Sequence, residues 1–167
     1  MKETRKDLIK FETSLLFVKD INTSKNFYSK VLGQEILMDF GKCITFKGGF
    51  AIMDADHLHD VIFNEKKRVT VNKNSNNFEL YFETEEIHKV YDIVKIENIE
   101  FIHNIREQPW GQLVFRFFDY DVYIIEIGES TYCFINRMYK EGLESEKIAE
   151  KTGIPLDQIK KIIDPSL

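Results

Sequence analysis

The run from Gln108 to Glu129, QPWGQLVFRFFDYDVYIIEIGE, decides the fold. Pro109 fixes its own φ and disfavours helix in the residue before it, so the stretch opens on a turn. Leu113–Phe118 and Val122–Ile127 are aromatic and β-branched, the composition of paired strands with at least one buried face. Asp119-Tyr120-Asp121 between them supplies a tight turn. Glu126 falls inside the second strand, between Ile125 and Ile127. A carboxylate buried there needs a partner, a proton, a metal or a wet pocket, so Glu126 is the first candidate for chemistry.

Working outward, Thr13–Val18 is a strand by composition, and Asn22, Thr23 and Ser24 offer helix-capping oxygens after it. Phe27, Tyr28, Val31 and Leu32 recur at helical spacing, with Gly33 as the stop. Ile36–Phe40, Cys43–Phe46 and Phe50–Asp54 then read as three short strands separated by glycine turns. From Ala55 to Asn77 the pattern weakens: Leu58, Val61 and Ile62 suggest a helical turn or two, and Lys66-Lys67-Arg68 and Asn72–Asn77 an exposed connection. The order then repeats, with Phe78–Glu83 as strand, Glu85–Lys95 as helix, Phe101–Ile105 as strand and the quoted hairpin closing the set. The pattern is two βαβββ units of about 55 residues each.

Two stretches carry a resemblance. SLLFVKDINTSKNFYSKVLG (Ser14–Gly33) and the Trp110-Gly111, strand, Asp-turn, strand-with-glutamate sequence are similar to the opening and closing segments of the glyoxalase/bleomycin-resistance/dioxygenase superfamily, the vicinal oxygen chelate proteins. The family's Asp-Pro-Asp-Gly turn is here Asp119-Tyr120-Asp121-Val122, lacking proline and glycine. The resemblance implies an α+β fold in which two βαβββ modules, about 13–54 and 78–128, form an open mixed β-barrel-like sheet with helices outside and a concave ligand pocket. It also implies metal-ligand positions at Thr13, Met53, Glu79 and Glu126. Threonine and thioether are poor partners for the metals such sites use, so the ligand set is half-erased. The expectation is a protein without the full metal site that binds a small organic ligand. The alternatives are a metal-dependent lyase, isomerase or dioxygenase resembling lactoylglutathione lyase, and an interaction or DNA-binding role for the tail.

If a divalent metal is held, His57 and His59 would supply imidazoles should the fourth strand run on through them; the plainer reading leaves both on an exposed polar loop. Without a metal, Glu79 and Glu126 would be two carboxylates on one pocket, able to serve as acid and base or to hold a cation. Arg116 would neutralise one of them, or form a plain cross-strand bridge. Trp110 and Tyr81 are candidate walls.

The bulk properties narrow the classes. A net charge of −5 over 167 residues gives no footprint for nucleic acid or anionic membrane. Cys43 and Cys133 show no metal or redox spacing, and no apolar run approaches a membrane span, so a cytoplasmic protein is expected. A homodimer is the expected assembly. Residues 1–12 form a charged lead-in, residues 13–129 the glyoxalase-like domain and residues 130–167 a helical extension. Within the extension, Ile148-Ala149, Gly153 and Ile159 resemble a helix-turn-helix, yet residues 130–167 carry six Lys/Arg against six Asp/Glu. Its apolar faces are too small to support three isolated helices, so they must pack on the barrel or on a second subunit.

Overall fold

The computed structural model describes residues 11–63 and 77–166. The chain divides into two compact units, Met1–Lys73 and Asn74–Leu167.

In the first unit, β1 (Ser14–Val18) leads to α1 (Ile21–Asn26), then β2 (Ile36–Asp39), β3 (Cys43–Phe46), β4 (Phe50–Asp54) and α2 (Ala55–Phe63). The cap of α1 is Asp20, two positions before the first expected residue, Asn22: its carboxylate accepts from the amides of Asn22 at 2.9 Å and Thr23 at 3.1 Å. Beyond Asn26 the helix widens into a π-turn over Phe27–Val31, closed by the Leu32 amide on the Phe27 carbonyl. The widened turn lets two neighbouring rings, Phe27 and Tyr28, both be buried. Tyr28 lies edge-on to Phe50, which stacks on Phe46. The sheet order is β1-β4-β3-β2, with β1 parallel to β4 and the other pairs antiparallel.

The second unit repeats this order as β5 (Glu79–Thr84), α3 (Ile87–Ile96), β6 (Phe101–Glu107), β7 (Leu113–Phe118) and β8 (Ile124–Glu129), arranged β5-β8-β7-β6. Phe101, Phe115 and Phe117 pack together, and Tyr91 of α3 meets the first two edge-on. The last strand starts and ends two residues later than the sequence pattern suggests. Val122 adopts a left-handed φ of 68° and stays in the turn, where the Asp119 carboxylate accepts from the amides of Asp121 and Tyr123. A β-branched residue is strained there. Val122→Gly is therefore expected to raise stability by about 1 kcal/mol after the added freedom of the unfolded glycine is subtracted, read by urea denaturation. An unchanged or lower midpoint would mean that the valine side chain contributes more by packing than its backbone costs.

Three helices follow: α4 (Thr131–Lys140), α5 (Ser145–Thr152) and α6 (Leu156–Ile163). They close around Phe134, Ile135, Met138, Ile148 and Ile159. Gly153 ends α5 in the left-handed conformation, as the sequence pattern requires. The bundle is anchored to its own unit. Arg137 of α4 donates to both oxygens of the buried Glu129 carboxylate, at 3.0 and 2.9 Å, and to the Gly111 carbonyl at 2.5 Å. Gly111 has a φ of 97°, and a Cβ there would lie 2.5 Å from the Met138 sulfur. The Trp-Gly turn is thus moulded to α4. On α6, Lys160 pairs with Glu146 of α5, which further reduces any basic stripe. Among the described residues, no helix is long and apolar enough to cross a membrane.

Candidate functional site

The paired strands of the second sheet bring four of the expected residues together, Glu79, Tyr81, Arg116 and Glu126. Arg116 on β7 is directly opposite Glu126 on β8, and Glu126 is opposite Tyr81 on β5. Glu79, Tyr81 and Glu83 alternate along β5 and so share one face. The Arg116 Nε donates to the Glu79 carboxylate at 2.8 Å, and its Nη2 is ion-paired with Glu126, whose side chain is almost fully buried. The third guanidinium nitrogen, Nη1, lies 3.3 Å from His103 Nε2. His103 Nδ1 is 2.8 Å from the Asn104 carbonyl and must donate to it, which leaves Nε2 as the acceptor facing Arg116. Desolvation, helped by the Arg106 and Arg116 charges, pushes the His103 pKa down against the opposing hydrogen bond to Asn104.

A second network borders this cluster. Trp110 Nε1 donates to Gln112 Oε1 at 3.0 Å, and Gln112 Nε2 donates to the Tyr81 hydroxyl at 2.8 Å and to the Glu129 carbonyl at 2.7 Å. The Tyr81 hydroxyl in turn donates to Glu83 at 3.0 Å. Desolvation, reinforced by Glu83, pushes the Tyr81 pKa up to about 12, so the phenol remains a donor. Gly128 makes room for this arrangement: a Cβ there would stand 2.8 Å from Gln112 Nε2 and 3.1 Å from the Tyr81 ring. Gln112 and Glu129 were not singled out from sequence. The signal for Glu129 was present, a second acid three residues after Glu126 and therefore on the opposite face of the same strand.

The first unit contributes a different surface. Met53 is aligned with Phe17 on one side and Cys43 on the other, an apolar row. The exposed Thr13 donates its hydroxyl to backbone carbonyls, Ser14 at 3.1 Å and Gly49 at 3.3 Å. His57 and His59 correct the sequence reading: they lie on α2, on neither a strand nor a loop. Two residues apart on a helix they point in nearly opposite directions, so they cannot act as a pair. His59 is buried with its ring edge-on to Phe17 at 5.6 Å, and the His57 amide donates to Asp54.

The donors do not fit a metal as they stand. Among the described residues, no group of three His, Cys, Asp or Glu side chains is placed to hold one. At the one spot where two expected acids meet, a guanidinium joins them.

The Glyoxalase-like domain family model matches residues 11–132. With two βαβββ units and this match over most of its length, the chain belongs to the Glyoxalase-like domain family. A protein of unknown function from Agrobacterium tumefaciens is 38% identical, with a TM-score of 0.66, over 73% of this chain and 94% of its own. Two further structures share the fold. A glyoxalase/bleomycin resistance protein/dioxygenase from Nocardioides is 18% identical (TM-score 0.57; 72% of this chain, 83% of that one). The fosfomycin resistance protein FosX of Listeria monocytogenes is 21% identical (TM-score 0.52; 74% and 94%). No curated protein matches the chain. Helices α5 and α6 and most of α4 lie beyond the matched residues.

Proposed function

We propose that the chain binds a small organic cation without a metal, using the polar face of the second sheet. The observation that carries this reading is the charge balance of that face. Glu79, Glu83 and Glu126 stand against the guanidinium of Arg116, with Arg106 the further cation near His103, so the acids remain in excess. Tyr81 and Trp110, both partly exposed, add aromatic surface suited to a cation. Glu79 and Glu126 serve as charge partners in this reading, and Arg116 keeps the excess negative charge small enough for the strands to pair. The nearest chemical probes come from the names of the fold neighbours: bleomycin is a cationic glycopeptide, fosfomycin a phosphonate.

Isothermal titration with metal-free bleomycin A2 tests the proposal. Saturable binding is expected for bleomycin and none for fosfomycin, with Glu79→Gln weakening bleomycin binding about tenfold through loss of one charge–charge interaction. Binding of fosfomycin but not bleomycin would overturn the reading. So would a Glu79→Gln variant that binds bleomycin as tightly as the unaltered chain.

A further inference from the structure

We infer that Trp110 and Tyr81 form a preset aromatic subsite for a quaternary, fully methylated ammonium group, and that Gln112 is the positioning residue that sets the two rings. The inference rests on the cation reading above and narrows it to one chemical class. The polar hydrogens of both rings are already spent inside the chain. Trp110 Nε1 donates to Gln112 Oε1 at 3.0 Å. The Tyr81 hydroxyl accepts from Gln112 Nε2 at 2.8 Å and donates to Glu83 at 3.0 Å. An indole carries one such donor and a phenol one, so neither ring has a proton left to offer a ligand. What remains is π surface, and it is accessible: Trp110 is 39% and Tyr81 45% exposed. A phosphonate finds no donor on such a surface, and a primary ammonium gives up strong hydrogen bonds to water to reach it. A methylated ammonium donates no hydrogen bonds, so it loses little on leaving water and is held by the ring quadrupoles. Glu83, bonded to the phenol, supplies the opposite charge beside it. The rings are fixed before any ligand arrives. Gln112 is 6% exposed, and its Nε2 also donates to the Glu129 carbonyl at 2.7 Å, which settles the amide's orientation. The turn carrying Trp110 is closed by the Gln108 amide on the Gln112 carbonyl and the Gly111 amide on the Gln108 carbonyl, both at 2.8 Å. Gly128 admits the arrangement, since a Cβ there would crowd both Gln112 and the Tyr81 ring. Side chains ordered in advance cost less to order on binding.

The experiment titrates the full chain with tetramethylammonium chloride and with methylammonium chloride at constant ionic strength, read by the fluorescence of Trp110, the chain's single tryptophan. A saturable change is expected with tetramethylammonium, and methylammonium is expected to bind about tenfold more weakly. Tyr81→Phe keeps the ring face and is expected to hold tetramethylammonium within about threefold of the unaltered chain, whereas Tyr81→Leu should lose about tenfold. Gln112→Leu unties both rings. It is expected to lower the Trp110 fluorescence anisotropy of the ligand-free chain and to weaken tetramethylammonium binding about fivefold. No saturable tetramethylammonium binding, equal affinity for the two ammonium ions, or a Tyr81→Leu variant that binds like the unaltered chain would each overturn the inference. A folded Gln112→Leu with unchanged anisotropy and affinity overturns the positioning role. Should Gln112→Leu fail to fold, Trp110→Phe decides by calorimetry, since it keeps a ring but lacks the N–H that Gln112 accepts; unchanged affinity there overturns that role equally. The bleomycin and fosfomycin titrations are read separately. Bleomycin binding that weakens in Glu79→Gln, with no tetramethylammonium binding, removes this inference and leaves the cation reading standing. Fosfomycin binding without bleomycin binding removes the cation reading itself.

Discussion

Arg137→Ala is expected to lower the stability of the second unit by about 3 kcal/mol, the usual consequence of leaving a buried carboxylate without its cation. For a unit of this size that corresponds to a fall in melting temperature of roughly 10–20 °C, measurable by calorimetry. The size of the effect follows from what the guanidinium does. It binds the two oxygens of Glu129, a residue only 6% exposed, and also the Gly111 carbonyl, so one deletion orphans a charge and an acceptor together. Arg137→Lys should recover little, because an ammonium cannot reproduce the forked geometry. A loss below about 0.5 kcal/mol would place the pair with ordinary surface bridges. It would also mean that α4 is held chiefly by Met138 against the Gly111 turn.

Arg116→Met should cost about 3 kcal/mol in metal-free buffer for the same reason, since it strands Glu126 while roughly preserving volume. Glu126→Gln should cost far less, about 1 kcal/mol, because the amide keeps the shape without a buried charge and the guanidinium keeps Glu79. This asymmetry is the informative quantity. Urea denaturation showing equal losses for the two variants would mean that the pair acts as one neutral unit whose removal from either side is equivalent. A larger loss for Glu126→Gln would place the structural burden on the acid.

The architecture was legible because the signal is periodic. Strand composition, helical spacing in Phe27–Leu32 and the recurrence of the βαβββ order all depend on which face of an element is buried, and burial leaves a pattern in one dimension. The juxtaposition of Arg116 with Glu126 was readable for a related reason, since a two-strand hairpin with a short turn fixes register. Glu79 was placed beside them by the family resemblance, but the fourth member, His103, was not. His103 reaches Arg116 across irregular pairing between β6 and β7, where the register shifts twice, and no count along the chain anticipates a bulge. His57 and His59 failed in the opposite direction. An extended reading puts them on one face, a helical one sets them apart, and the decision rested on whether β4 ended at Asp54, where its carboxylate accepts the His57 amide. Glu129 escaped notice because Val122, a residue that ordinarily favours strands, stays in the turn and moves the whole of β8 towards the C-terminus.

The strand pairing also bears on how the chain forms during synthesis. Among the described residues, the ladders of the first sheet join residues between Ser14 and Asp54. The sheet's hydrogen bonds are therefore all available once Asp54 has left the ribosome exit, while α3 to α6 remain unmade. The β2-β3-β4 meander consists of neighbours in sequence and closes at low entropic cost, whereas β1 must return across α1 to lie parallel to β4. Vectorial synthesis thus offers the first unit a head start. The second unit has no such advantage, because its Glu129 waits for Arg137 from a helix translated after the strand that needs it.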